Sequence, residues 1–152
     1  MLKKLTTVFL LAAASLTFTS CDELLEQIQI LTGTPASTKV NLTATINGAQ
    51  EVPANASTAT GTFTGVYDKS TKVLTYTVTY QGITPVAGHL HRGAPGVNGP
   101  VIFPFPNLTP PINATATFTQ ADEDLLLAGG FYANLHTPAF PGGEIRGNIV
   151  KK

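Results

Sequence analysis

The chain of 152 residues contains three histidines, and their types and spacing suit the binding of a metal ion. His89 and His91 flank Leu90, so on an extended strand both imidazoles leave the same face. His136 ends a second alternating run, Tyr132-Ala133-Asn134-Leu135-His136. If the two strands are neighbours, three imidazole nitrogens converge, a donor set suited to copper or zinc. The competing role is structural: no carboxylate or thiol ligand lies close in sequence, and histidines beside Asn, Glu and Arg also serve as hydrogen-bonding ties between loops. Glu144 and Arg146 stand two apart on one predicted face, the spacing of a structural ion pair. Over a histidine cluster, Arg146 would instead draw small anions.

Other chemistries find no support. Ser57 and Ser70 have no partner at a nucleophile's spacing, and no glycine-flanked nucleophile elbow occurs. Gly93, Gly96 and Gly99 recur every third residue, but Pro95 and Pro100 make this a sharply turning loop. No helix opens after it to receive a phosphate. The Asn-x-Ser/Thr sites at Asn41, Asn55, Asn107 and Asn113 are read as Thr-rich strand composition.

Cys21 is the sole cysteine, so no internal disulfide forms. Ahead of it lie a basic head with Lys3 and Lys4, an apolar stretch from Leu5 to Phe18, and the small residues Thr19-Ser20. This is the layout of an export signal, and it falls short of the about 20 apolar residues a membrane span needs. The segment resembles a bacterial lipoprotein signal, with Phe18 standing where leucine is more usual. The resemblance implies a signal peptide over 1–20, lipidation of Cys21 and a membrane partner held through the acyl chains. Each buried CH₂ contributes about 0.8 kcal/mol, so two or three chains anchor stably where one does not. Asp22-Glu23-Leu24-Leu25-Glu26 then begins a tether over 21–38, similar to the surface-export tether of some Gram-negative lipoproteins. The expected location is a bacterial membrane, on its periplasmic or cell-surface side.

Cleavage before Cys21 leaves 7 basic and 9 acidic side chains. No basic patch exists, which argues against nucleic acid as a partner. Eleven prolines, 14 glycines and abundant threonine, with little charge, favour strands and turns in one domain over 39–150. Val40, Leu42, Ala44 and Ile46 alternate with polar residues, as on a half-buried strand. Gly61–Tyr67 and Val73–Tyr80 form a predicted hairpin through Asp68-Lys69-Ser70-Thr71-Lys72. Shorter strands are expected at Ala87–Arg92, Val101–Phe103, Ala114–Phe118, Phe131–Thr137 and Glu144–Val150. One helix follows the cap residue Thr119, with Asp122 and Glu123 in its first turn and Gly129 at its end. The pattern predicts an all-β, antiparallel Greek-key sandwich of seven or eight strands with one short helix. With Leu90, Leu135, Ile145 and Ile149 inward, His89, His91, Asn134, His136, Glu144 and Arg146 turn outward, toward solvent.

Three ordered segments carry a wider resemblance: Asn47-Gly48-Ala49-Gln50-Glu51-Val52-Pro53, then Gly88-His89-Leu90-His91-Arg92-Gly93-Ala94-Pro95-Gly96, then the stretch from Asn134 through Pro141-Gly142-Gly143-Glu144-Ile145-Arg146 to Gly147. Together they resemble the CHRD domain, the module named from chordin, over Lys39 to Val150. That resemblance implies an all-β extracytoplasmic module, often on secreted or lipid-anchored proteins, acting in binding or structure, with no reaction required. A weaker resemblance is to the copper/zinc superoxide dismutase fold. It implies copper or zinc at His89, His91 and His136, with Arg146 as anion guide. No bridging histidine, zinc cluster or disulfide accompanies them, which argues against superoxide chemistry. A third reading, a protein or glycan ligand on an exposed face, requires exposed aromatics at Phe103, Phe105 and Phe140.

Overall fold

The computed structural model describes residues 37–152. The expected signal peptide, Cys21 and most of the tether lie outside the described residues. The strands are β1 (Lys39–Asn47), β2 (Thr60–Asp68), β3 (Val73–Gln81), β4 (Ala87–Arg92), β5 (Val101–Pro104), β6 (Ile112–Thr117), β7 (Phe131–His136), β8 (Ile145–Asn148) and β9 (Val150–Lys151). One α-helix, α1 (Gln120–Leu127), separates β6 from β7, and a 3-10 turn, Gly48–Gln50, follows β1.

All strand pairs are antiparallel, in the order β5-β4-β7-β8-β1-β2-β3-β6, with β9 beside β1. The result is a nearly closed antiparallel sheet of eight strands with one helix. The strands β1, β2 and β3 form a meander, whereas β4 finds β7 and β6 finds β3 through crossing connections. Asp68 organises the β2–β3 turn: its carboxylate accepts from the Ser70 amide at 2.9 Å, the Ser70 hydroxyl at 2.6 Å and Lys39 at 3.1 Å.

The two-residue beat selects the core. Leu42, Ala44 and Ile46 of β1, Phe63 and Tyr67 of β2, and Leu74, Tyr76 and Val78 of β3 are buried, and Leu90, Phe131, Ala133, Leu135 and Ile145 meet them from the other strands. Phe63 stacks on Tyr76 at 5.4 Å between centroids, and Phe118 bridges Tyr67 and Phe131 at 5.7 and 5.1 Å. Each fully buried side chain of this size contributes about 1.5–3 kcal/mol.

The helix starts where its cap dictates. The Thr119 hydroxyl accepts from the Asp122 amide at 3.1 Å and donates to the Asp122 carboxylate at 2.9 Å. Gly129, with φ of +78°, follows its C-terminus. Most strand ends lie within one residue of expectation, and two differences are larger: β6 begins two residues earlier, at Ile112, because Ile112 pairs with Val78 and is buried, and the last run divides at Ile149 into β8 and β9.

Candidate metal centre

The strands β4, β7 and β8 lie side by side, and their faces opposite the apolar core carry the polar residues of the sequence motifs. In β4–β7 register His89 opposes Asn134 and His91 opposes Tyr132, while Asn134 opposes Arg146 across β7–β8. The faces are as alternation predicted, but their exposure is not. Arg146 has no exposed surface, and His91, Asn134 and His136 are buried; His89 and Glu144 are partly exposed. Chain distant in sequence roofs this side of the sheet, an arrangement that strand phase does not encode.

The roof includes the loop from Gly93 to Pro100. Arg146 donates to Asn98 Oδ1 at 2.9 Å and to the Val97 carbonyl at 3.0 Å. Asn98 in turn donates to the Val52 carbonyl at 2.9 Å, and the Gly99 amide donates to the Tyr132 hydroxyl at 3.1 Å. The loop passes so close to β4 that a Cβ on Gly99 would lie 1.7 Å from the Arg92 carbonyl oxygen.

Three imidazoles meet beneath this roof. One ring nitrogen from each of His89, His91 and His136 lies within 4.8 Å of the others. His89 Nδ1 is 3.2 Å from His136 Nε2. Around a single ion, nitrogens at about 2.0–2.1 Å stand roughly 3.3–3.6 Å apart, so a ring rotation of about 1 Å closes the set. Two rings are already oriented. His91 Nδ1 lies 3.0 Å from the Gly99 carbonyl and His136 Nδ1 3.0 Å from the Pro141 carbonyl. A carbonyl only accepts, so each Nδ1 carries the proton and each Nε2 presents a lone pair. The His91 Nε2 is buried without a hydrogen-bond partner. His136 Nε2, so unprotonated, accepts from Nδ1 of partly exposed His89, and the His89 tautomer with its proton on Nε2 would free Nδ1 for an ion.

Burial and neighbouring charge disfavour the protonated form of His89 and His91. The His89 pKa is lowered by burial first and then by the neighbouring His136 and His91. The His91 pKa is also lowered chiefly by burial, with His136 and Arg146 adding repulsion and the Gly99 carbonyl opposing it. Glu51, buried within the motif after β1, has its carboxyl pushed up to about 7 by burial, against the attraction of Arg146 and a backbone hydrogen bond from Val52.

The remaining site residues do structural work. Glu144 does not pair with Arg146, because its carboxylate accepts from Ser57 at 2.8 Å and from Thr137. Arg92 pairs with Asp122 at 3.0 Å. The guanidinium of Arg146 sits 3.9 Å above the Tyr132 ring centre. This buried, tied position is not that of a solvent-facing anion guide. Of the three aromatics of the expected ligand face, Phe105 is buried in the core, Phe103 is partly buried against Phe118 at 4.9 Å, and Phe140 is partly exposed.

Sequence reasoning missed Tyr132, Glu51 and Asn98. Tyr132 shares the phase of Asn134 and His136, so its direction was available from alternation; the partners of Glu51 and Asn98 come from other segments and had no local signal.

No curated protein and no solved structure matches the chain. The family model of the CHRD domain does, over residues 42–149, a span that includes both histidine runs and Arg146 and covers more than half of the sequence. The chain belongs to the CHRD domain family.

Proposed function

We propose that this CHRD domain is an extracytoplasmic, lipid-anchored binding module whose ligand is a copper or zinc ion held by His89, His91 and His136. The observation that carries this reading is the convergence of the three ring nitrogens within 4.8 Å, with two rings fixed through their far nitrogens by backbone carbonyls. Ligating histidines elsewhere are oriented by the same device. The acylated Cys21, following the lipoprotein-type leader, supplies the anchor and places the site outside the cytoplasm.

The body is read as a Greek-key sandwich. In support, β1, β2, β3 and β6 form one four-strand group and β5, β4, β7 and β8 another. The β1–β8 ladder joins them through a single pair, Asn47 with Arg146. The role is read as binding, in support of which the charged residues near the rings are tied into the structure: Arg146 by Val97 and Asn98, Glu144 by Ser57 and Thr137, and Arg92 by Asp122.

Metal analysis of the full chain, purified in detergent and reconstituted with copper or zinc, tests the reading. One equivalent retained through dialysis is expected, with loss in His89→Ala, whose partly exposed ring leaves the roof untouched. No bound metal, or unchanged binding in the variant, overturns it. Anchoring is tested by Cys21→Ser, which should move the protein from the membrane fraction to the soluble extracytoplasmic fraction; unchanged membrane partition overturns that part.

A further inference from the structure

We infer that the ion taken by His89, His91 and His136 is monovalent copper rather than a divalent ion. The inference rests on the metal-binding reading above and deepens it. Its basis is the charge of what surrounds the rings.

The ligand set is neutral. The three imidazoles are the only grouped metal-ligating side chains among the described residues, and no carboxylate or thiol joins them. A bound ion therefore keeps its whole charge. For a partly desolvated ion the self-energy rises with the square of that charge, so a divalent ion costs about four times as much as a monovalent one of similar size.

A fixed cation stands nearby. His91 lies flat on Tyr132, with centroids 4.8 Å apart and planes 8° from parallel, and Arg146 covers Tyr132 at 3.9 Å. Because β4 and β8 flank β7 on opposite sides, the order across the sheet is imidazole, phenol, guanidinium. Arg146 is fully buried, so solvent screens its charge poorly. Its repulsion acts once on a monovalent ion and twice on a divalent one, a difference worth roughly tenfold or more in relative affinity at this range. Two acidic side chains of the region are engaged elsewhere, Glu144 by Ser57 and Thr137 and Asp122 by Arg92, while Glu51, buried with Oε1 unpartnered, is the one coupled to Arg146 and offsets its charge in part when ionised.

Coordination number points the same way. Three nitrogens satisfy monovalent copper, whereas zinc requires a fourth ligand, which solvent must supply beside His89.

The test uses the full chain with Cys21→Ser, the form expected in the soluble fraction, so that no thiol competes for the soft ion. Cu(I) is titrated anaerobically against the chromophoric chelator bicinchoninate, and Zn(II) and Cu(II) are titrated in parallel against chelators of known affinity. Expected are one equivalent of Cu(I), a Kd at least tenfold tighter than for either divalent ion, and a loss of at least tenfold in Cu(I) affinity in His89→Ala. A divalent Kd within tenfold of the Cu(I) value, or tighter, overturns the assignment of the ion while metal binding stands. Unchanged Cu(I) affinity in His89→Ala also overturns it. Failure of all three ions to bind overturns the metal-binding reading itself.

Discussion

The His91 imidazole and the Tyr132 ring lie nearly parallel, 8° apart with centroids 4.8 Å distant, and Gly99 fastens both from above. The Gly99 amide donates to the Tyr132 hydroxyl at 3.1 Å, and its carbonyl accepts from His91 Nδ1 at 3.0 Å. One peptide therefore sets the orientation of a candidate ligand and of the ring that backs it. Removing the hydroxyl in Tyr132→Phe leaves the stack and deletes one half of this clamp. A loss of about 1 kcal/mol is expected, the ordinary worth of one hydrogen bond. Urea unfolding measures it; a midpoint equal to that of the wild type would show that the clamp contributes nothing.

Much of this arrangement is legible in the residues themselves. Leu42, Ala44 and Ile46, or Leu74, Tyr76 and Val78, announce their strands because one face of each must leave water, and all are buried. The same beat places His89, His91, Asn134, His136 and Arg146 on the opposite face. It says nothing of what covers that face. Arg146 was expected toward solvent and is fully buried, because Val97 and Asn98 reach it from 49 and 48 residues away. A buried guanidinium needs hydrogen-bond partners, and Arg146 finds two of them, with Nε left without one, in a Gly/Pro loop whose path alternation cannot trace. Likewise, Glu144 and Arg146 share a phase yet choose separate partners, since Ser57 and Thr137 reach the carboxylate first.

Arg146 joins the roof to the sheet. Its two donated hydrogen bonds and its contact with Tyr132 end together in Arg146→Ala, which also leaves a cavity where a large side chain was fully buried. A loss of about 3–5 kcal/mol is expected. Arg146→Lys keeps the charge but cannot present two planar donors while stacking on a ring, so it should remain less stable than the wild type. Thermal unfolding of the three proteins decides between these outcomes. Full stability in the lysine variant would mean that charge alone suffices.

The glycines of the roof make separate demands. Gly96 has φ of +79° and open space where a Cβ would stand, so Gly96→Ala should cost only the left-handed backbone penalty, about 1–2 kcal/mol. At Gly99 the obstacle is backbone: an added Cβ would lie 1.7 Å from the Arg92 carbonyl oxygen and 2.6 Å from its carbon. The loop must lift, releasing His91 and Tyr132, and a loss of about 3 kcal/mol or more is expected. Chemical denaturation of the pair reads the contrast, and equal losses would show that the loop yields freely at both positions.

Glu51 gives the fold a pH dependence of identifiable sign. Its carboxyl is buried, Oε1 has no hydrogen-bond partner, and its pKa is raised from 4.5 to about 7, chiefly by burial. The unfolded chain ionises this group near its ordinary value, whereas the folded chain holds the proton longer. Its favourable contribution is therefore complete below about pH 4.5 and declines as pH rises through about 7. His89 and His91, with lowered pKa values, act in the opposite sense over part of this window, so the comparison must be between variant and wild type at each pH. Glu51→Gln keeps the shape and removes the titration. Relative to the wild type it should gain about 1–2 kcal/mol on going from pH 4.5 to pH 8, the partial attraction of Arg146 and residual solvation limiting the figure. Urea midpoints at the two pH values measure that gain. A difference between variant and wild type that does not change with pH would show that the Glu51 carboxyl ionises in the fold as readily as in the open chain, and that Arg146 compensates its burial in full.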